Sequence, residues 1–88
     1  MITLPIELTN RLGLHARPSA KLAKTASLFK SSITLSRPGQ TVDAKSILGL
    51  MTMACPQGTS LTLQIDGPDE DAAAVAIREL FESRFGED

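Results

Sequence analysis

The sequence holds no tryptophan, no tyrosine and only three phenylalanines, so few side chains could stack on nucleic-acid bases. Its formal net charge of −1 also denies it the basic surface that a nucleic-acid binder needs, and that class is set aside. A single cysteine cannot close an internal disulfide, which agrees with a reducing compartment. One histidine and one cysteine would need two carboxylates to complete a zinc site, so neither a metal nor a cofactor is expected. No stretch is long and apolar enough to cross a membrane, and the N-terminus shows no basic region leading into an apolar core. These absences point to a cytoplasmic protein without membrane insertion. With 88 residues, 42% of them hydrophobic, the chain reads as one small domain over residues 1–88, enough for a sheet and one layer of helices.

What is present is periodic. Ile2, Leu4, Ile6 and Leu8 alternate with polar residues and Pro5, which reads as a half-buried strand. Pro5 has no N–H for a ladder, so this strand belongs at a sheet edge. A helix follows from about Ala16 to Leu28, its buried face carrying Leu22, Ala26 and Phe29. Ile33 and Leu35 mark a second strand, Arg37–Gln40 a type II turn, and Val42 and Ala44 the returning strand. Ser46 is placed to cap a short helix from Ile47 to about Met53, which is apolar on more than one side. Two turns in so thin a domain cannot bury all of that, so part of it should stay exposed. Leu61, Leu63 and Ile65 give a fourth strand, uninterrupted and able to lie centrally. Asp69 is then read as the cap of a last helix, about Glu70 to Arg84, with Gly86 as its stop.

The order is βαββαβα, an α+β chain. Inserting the fourth strand between the first two gives an antiparallel sheet in the order 1-4-2-3, with Pro5 on an edge and three helices on one face. This is an open-faced β-sandwich.

The chemistry gathers in the segment from Asn10 to Pro18, which contains the sole histidine. Gly13 permits a sharp turn, and Pro18 suits a first helical turn because the N–H it lacks would be unpaired there. His15 falls just before the helix, where the amides of the first turn, that of Ala16 among them, point outward. An anion on that imidazole would meet the positive end of the helix dipole and, two residues on, Arg17. A lone surface histidine is usually only a polar residue; this setting points instead to a phosphoryl acceptor. The segment holds no acid to orient the imidazole, which argues against a Ser–His hydrolase. Arg17, Lys21 and Lys24 recur on one helix face, and Ile47, Leu48 and Met51 form an apolar patch expected beside them. Each has a plainer reading, a solvated face and a core stripe; together they suit docking to acidic partners. Ser46 needs no role beyond capping, and Cys55 reads as a small buried hydrophobe.

Gly13-Leu14-His15-Ala16-Arg17-Pro18, with Lys45-Ser46-Ile47-Leu48-Gly49-Leu50-Met51 further on, resembles the HPr family of the bacterial phosphotransferase system. The resemblance covers essentially the whole chain. It implies a carrier, not an enzyme with its own turnover, phosphorylated at His15 through Nδ1, with Arg17 as the neighbouring charge. Enzyme I, charged from phosphoenolpyruvate, would be the donor and enzyme IIA components of sugar transporters the acceptors. Ser46 would match the serine modified by HPr kinase/phosphorylase. The acidic ending Arg84–Asp88 is also similar to a nitrogen-related branch of the family, which stands as one alternative. An adaptor never phosphorylated on histidine stands as another. A monomer is expected.

Overall fold

The computed structural model describes residues 1–9, 13–53 and 55–86. The alternating segments become the strands β1 (Ile2–Glu7), β2 (Ser32–Arg37), β3 (Gln40–Asp43) and β4 (Ser60–Asp66). They pair antiparallel in the order β1-β4-β2-β3, as the position of Pro5 requires. Leu63 stands opposite both Leu4 and Leu35, and Ile65 opposite both Ile2 and Ile33, so one sheet face is a continuous apolar surface. The next rows carry Pro5, Thr62 and Ser36, then Thr3, Gln64 and Thr34, and form the polar open face.

Three helices cover the apolar side: α1 (Ala16–Ala26), α2 (Ile47–Met53) and α3 (Glu70–Glu82). They contribute Leu22, Ala23 and Ala26, then Leu50 and Met53, then Ala73, Ile77 and Phe81, all buried against Ile33, Leu35, Leu61, Leu63 and Ile65. Fully burying one such Leu, Ile or Phe is worth about 1.5–3 kcal/mol, and this shared core fixes how α1 lies on the sheet.

Both long helices end earlier than their periodicity predicts. α1 stops at Ala26 because the N–H groups of Leu28 and Phe29 close onto Thr25 and Ala26, a tighter turn that leaves Leu28 exposed. Lys45 Nζ donates to the Phe29 carbonyl at 2.9 Å and so satisfies a group left over where α1 ends. α3 stops at Glu82, short of Arg84, and Gly86 is not what ends it: Arg84 and Phe85 have already turned left-handed, with φ of 56° and 57°.

Asp69 departs further from expectation. It occupies the N-cap position of α3 but makes no side-chain capping bond. Its carboxylate instead accepts the N–H groups of Lys30 and Ser31, at 2.8 and 2.9 Å, and the Ser31 hydroxyl. That side chain ties the α1–β2 connection to the start of α3. The Ser31 hydroxyl, followed by the Lys30 amide, holds the carboxyl at a pKa of about 2, below its ordinary value. A depressed carboxylate supplies stability that is present above the unfolded-state value near 4 and is lost as pH falls towards about 2. Asp69→Asn is therefore expected to unfold more readily at neutral pH, and its deficit against the native chain should shrink across that acid window. A deficit constant down to pH 2 in denaturant titrations would contradict this role.

Candidate functional site

His15 is the N-cap of α1, with extended backbone at φ −121° and ψ −167°, and its carbonyl accepts the first helical N–H, from Ser19, at 3.0 Å. Histidine is a poor cap compared with Ser, Thr, Asp or Asn, and no side-chain capping bond is made here. Pro18 has no N–H to offer, so the first-turn amides left without an intrahelical acceptor are those of Ala16 and Arg17. His15 is half-buried; Ala16 and Arg17 are exposed.

The loop is set from below by residues that motif reading passed over. Leu14 N–H donates to the Cys55 carbonyl at 2.8 Å, and the Leu14 side chain is buried. Gly13 has φ +73°, and a Cβ there would run into that same carbonyl and come within 2.9 Å of Pro56 Cα. The backbone at residues 55–56 is thus the seat of the histidine loop. Nothing in the sequence signals it, because a carbonyl acts here and any residue supplies one. The Cys55 thiol is buried as expected, and burial raises its pKa, partly offset by Arg37, whose Nη1 lies 3.5 Å from the sulfur. Asn10 and Arg11, the first residues of the motif, lie outside the described residues.

The docking candidates divide. Ile47, Leu48 and Met51 are exposed by 45%, 78% and 45%, while Leu50 and Met53 of the same helix are buried, so the outer half of α2 does face solvent. Arg17, Lys21 and Lys24 are exposed along α1, and α1 packs against α2. Lys21, however, donates through Nζ to the Phe85 carbonyl. Ser46 is the cap that was expected, its Oγ accepting Gly49 N–H at 3.0 Å. Among the described residues no cluster of three His, Cys, Asp or Glu could hold a metal ion, and no helix is long and apolar enough to cross a membrane. A surface cavity between β1 and α3, lined by Glu7, Arg78 and Phe81 among others, does not include His15 or Arg17. His15 stands on the loop before α1, outside that cavity.

A helix N-terminus with an exposed arginine and a single imidazole has the parts for holding a phosphoryl group without enclosing it. A family model described as PTS HPr component phosphorylation site matches residues 2–83, which include His15. The chain belongs to the HPr family. Phosphocarrier protein HPr of Xylella fastidiosa (strain Temecula1) is 52% identical over 88 residues, covering 100% of this chain and 99% of that protein. The crystal structure of HPr-C-His from Thermoanaerobacter tengcongensis matches at a TM-score of 0.95 and 43% identity, covering 100% of this chain and 99% of that one. Membership makes the chain a phosphocarrier of the phosphotransferase system, and these HPr relatives favour neither the nitrogen-related alternative nor the adaptor. An HPr dimer from T. tengcongensis also matches, at a TM-score of 0.79 and 44% identity, covering 99% of this chain and 100% of that one. The expected monomer is therefore not a state common to all its HPr relatives.

Proposed function

We propose that this chain takes a phosphoryl group onto His15 Nδ1 from phosphorylated enzyme I and delivers it to enzyme IIA components of sugar transporters in the cytoplasm. The observation that carries the reading is His15 at the N-cap of α1, the helix end whose first amides, those of Ala16 and Arg17, have no acceptor within the helix. In the forward step the Nδ1 lone pair forms a bond to phosphorus as the bond to the donor breaks. The reverse exchange occurs on the acceptor, so no other reactant is consumed.

The incoming group brings close to two negative charges. A helix N-terminus contributes about 0.3–1 kcal/mol per adjacent anion, and Arg17 adds charge-assisted hydrogen bonding that tightens as charge spreads over the transferring oxygens. Deeper stabilisation would hinder release, and an exposed loop with one arginine avoids it. Arg17 and Lys24 on α1, with the exposed Ile47, Leu48 and Met51 of the helix packed against it, supply basic and apolar side chains for acidic partners; methionine suits a surface that fits several. Ser46 is a candidate for control by HPr kinase/phosphorylase. Phosphate there is tolerated at a helix start but repels an acidic partner.

Incubation with enzyme I, magnesium and phosphoenolpyruvate should add one phosphoryl mass that is lost in acid, and His15→Ala should abolish it. No uptake by the native chain under conditions that charge a known HPr would refute the reading. With ATP and the kinase, Ser46 should acquire an acid-stable phosphate; an unmodified Ser46 would leave it a cap.

A further inference from the structure

Three successive residues after α3 have left-handed backbones: Arg84, Phe85 and Gly86, at φ of 56°, 57° and 73°. Glycine adopts this conformation freely, whereas for Arg84 and Phe85 it is disfavoured and persists only where the surroundings impose it. Two contacts impose it here. The Phe85 side chain is 1% exposed and stands edge-on to Phe81, with ring centroids 4.8 Å apart. The Phe85 carbonyl accepts a hydrogen bond from Lys21 Nζ on α1. Close packing reinforces the second contact, since a Cβ on Gly86 would lie 3.2 Å from that same nitrogen.

Lys21 is one helical turn beyond Arg17, on the face that leads away from His15. The other cations of α1, Arg17 and Lys24, make no side-chain hydrogen bond or ion pair among the described residues. The terminal turn has therefore singled out the middle charge of the stripe. A lysine whose ammonium is held by a carbonyl keeps its charge but not its reach, and a partner's carboxylate must break that bond to recruit it.

We propose that the Arg84–Gly86 turn is a clasp that withholds Lys21 from the docking surface. With the clasp closed, an acidic partner meets Arg17 and Lys24; with it open, Lys21 joins them. Phe85 is the anchor and Lys21 the catch. The identity of the partners rests on the phosphocarrier reading, but the clasp itself can be measured without them.

In the native chain an amine-reactive acylating reagent, mapped by peptide mass, should modify Lys21 several-fold more slowly than Lys24. Phe85→Ala should bring the two rates together, while Phe85→Leu, which keeps an apolar anchor, should leave Lys21 slow. Docking to enzyme I at low salt should tighten roughly two- to fivefold in Phe85→Ala, with a steeper salt dependence, the scale of one added exposed charge. Lys21→Gln should erase that gain. In the native chain Lys21→Gln should weaken docking clearly less than Lys24→Gln. Equal acylation of Lys21 and Lys24 in the native chain, or equal losses from the two glutamine variants, would overturn the clasp, and neither comparison requires Phe85→Ala to fold. Absence of any docking to enzyme I would count against the phosphocarrier reading and leave the acylation result to decide the clasp.

Discussion

Replacing His15 with asparagine is expected to abolish phosphoryl uptake while making the protein more stable. Asparagine is among the best N-cap residues, accepting from an amide of the first turn where histidine makes no capping bond. Its usual recipients are the second and third helical N–H groups. Here the third position is Pro18, which has none, so only the Arg17 amide is available. The gain should fall at the lower end of the capping range, about 0.5–1 kcal/mol, and raise the melting temperature by several degrees in a chain of this size. The amide nitrogen of asparagine has no lone pair to offer phosphorus, so the acid-labile mass should vanish altogether. Loss of function with a gain in stability would mean that the position is held by the chemistry against the preference of the helix. Loss of both would mean that the imidazole also holds the loop in place, and the separation drawn between chemistry and capping would fail.

That trade-off rests on a local rule, since a histidine ahead of a proline-containing first turn departs from the usual capping residues. Most of the fold was legible for a related reason. The alternation in Ile2–Leu8 and Leu61–Ile65, the proline at position 5 and the turn at Arg37–Gln40 are local signals, and together they leave few strand orders open. What escaped are contacts made across the fold. Asp69 has the sequence of a cap, yet two amides 38 and 39 residues earlier capture its carboxylate first. Lys21 has the spacing of a docking residue, but the end of the chain folds back and takes it. Arg84 and Phe85 are residues that avoid left-handed backbone when judged alone, and it takes the burial of Phe85 and the Lys21 bond to its carbonyl to impose their conformation. Asp69 and Lys21 share a cause: a side chain with a plain local reading meets a partner far away in sequence.

The largest stability effect is expected at Gly13. Alanine there faces two separate penalties. Its left-handed φ of +73° disfavours any Cβ by about 1–2 kcal/mol. The added methyl also collides with the Cys55 carbonyl and approaches Pro56 Cα at 2.9 Å, and these are backbone atoms that cannot swing aside as a side chain tip would. Forcing an extra methyl into packed structure costs about 1–3 kcal/mol, so the total should reach roughly 2–5 kcal/mol. Gly58 provides the control. It has φ +89° with nothing within 4 Å of its missing Cβ, so Gly58→Ala should show the conformational part alone. The difference between the two variants then measures the seat of the loop. Because the shift needed to relieve Gly13→Ala lifts Leu14, the residue next to His15, off the Cys55 carbonyl, the rate of phosphoryl acceptance should fall as well. Gly58→Ala should leave that rate near the native value. Equal destabilisation of the two variants, or a Gly13→Ala protein that takes up phosphate at the native rate, would show that the 55–56 backbone does not hold the histidine loop in place.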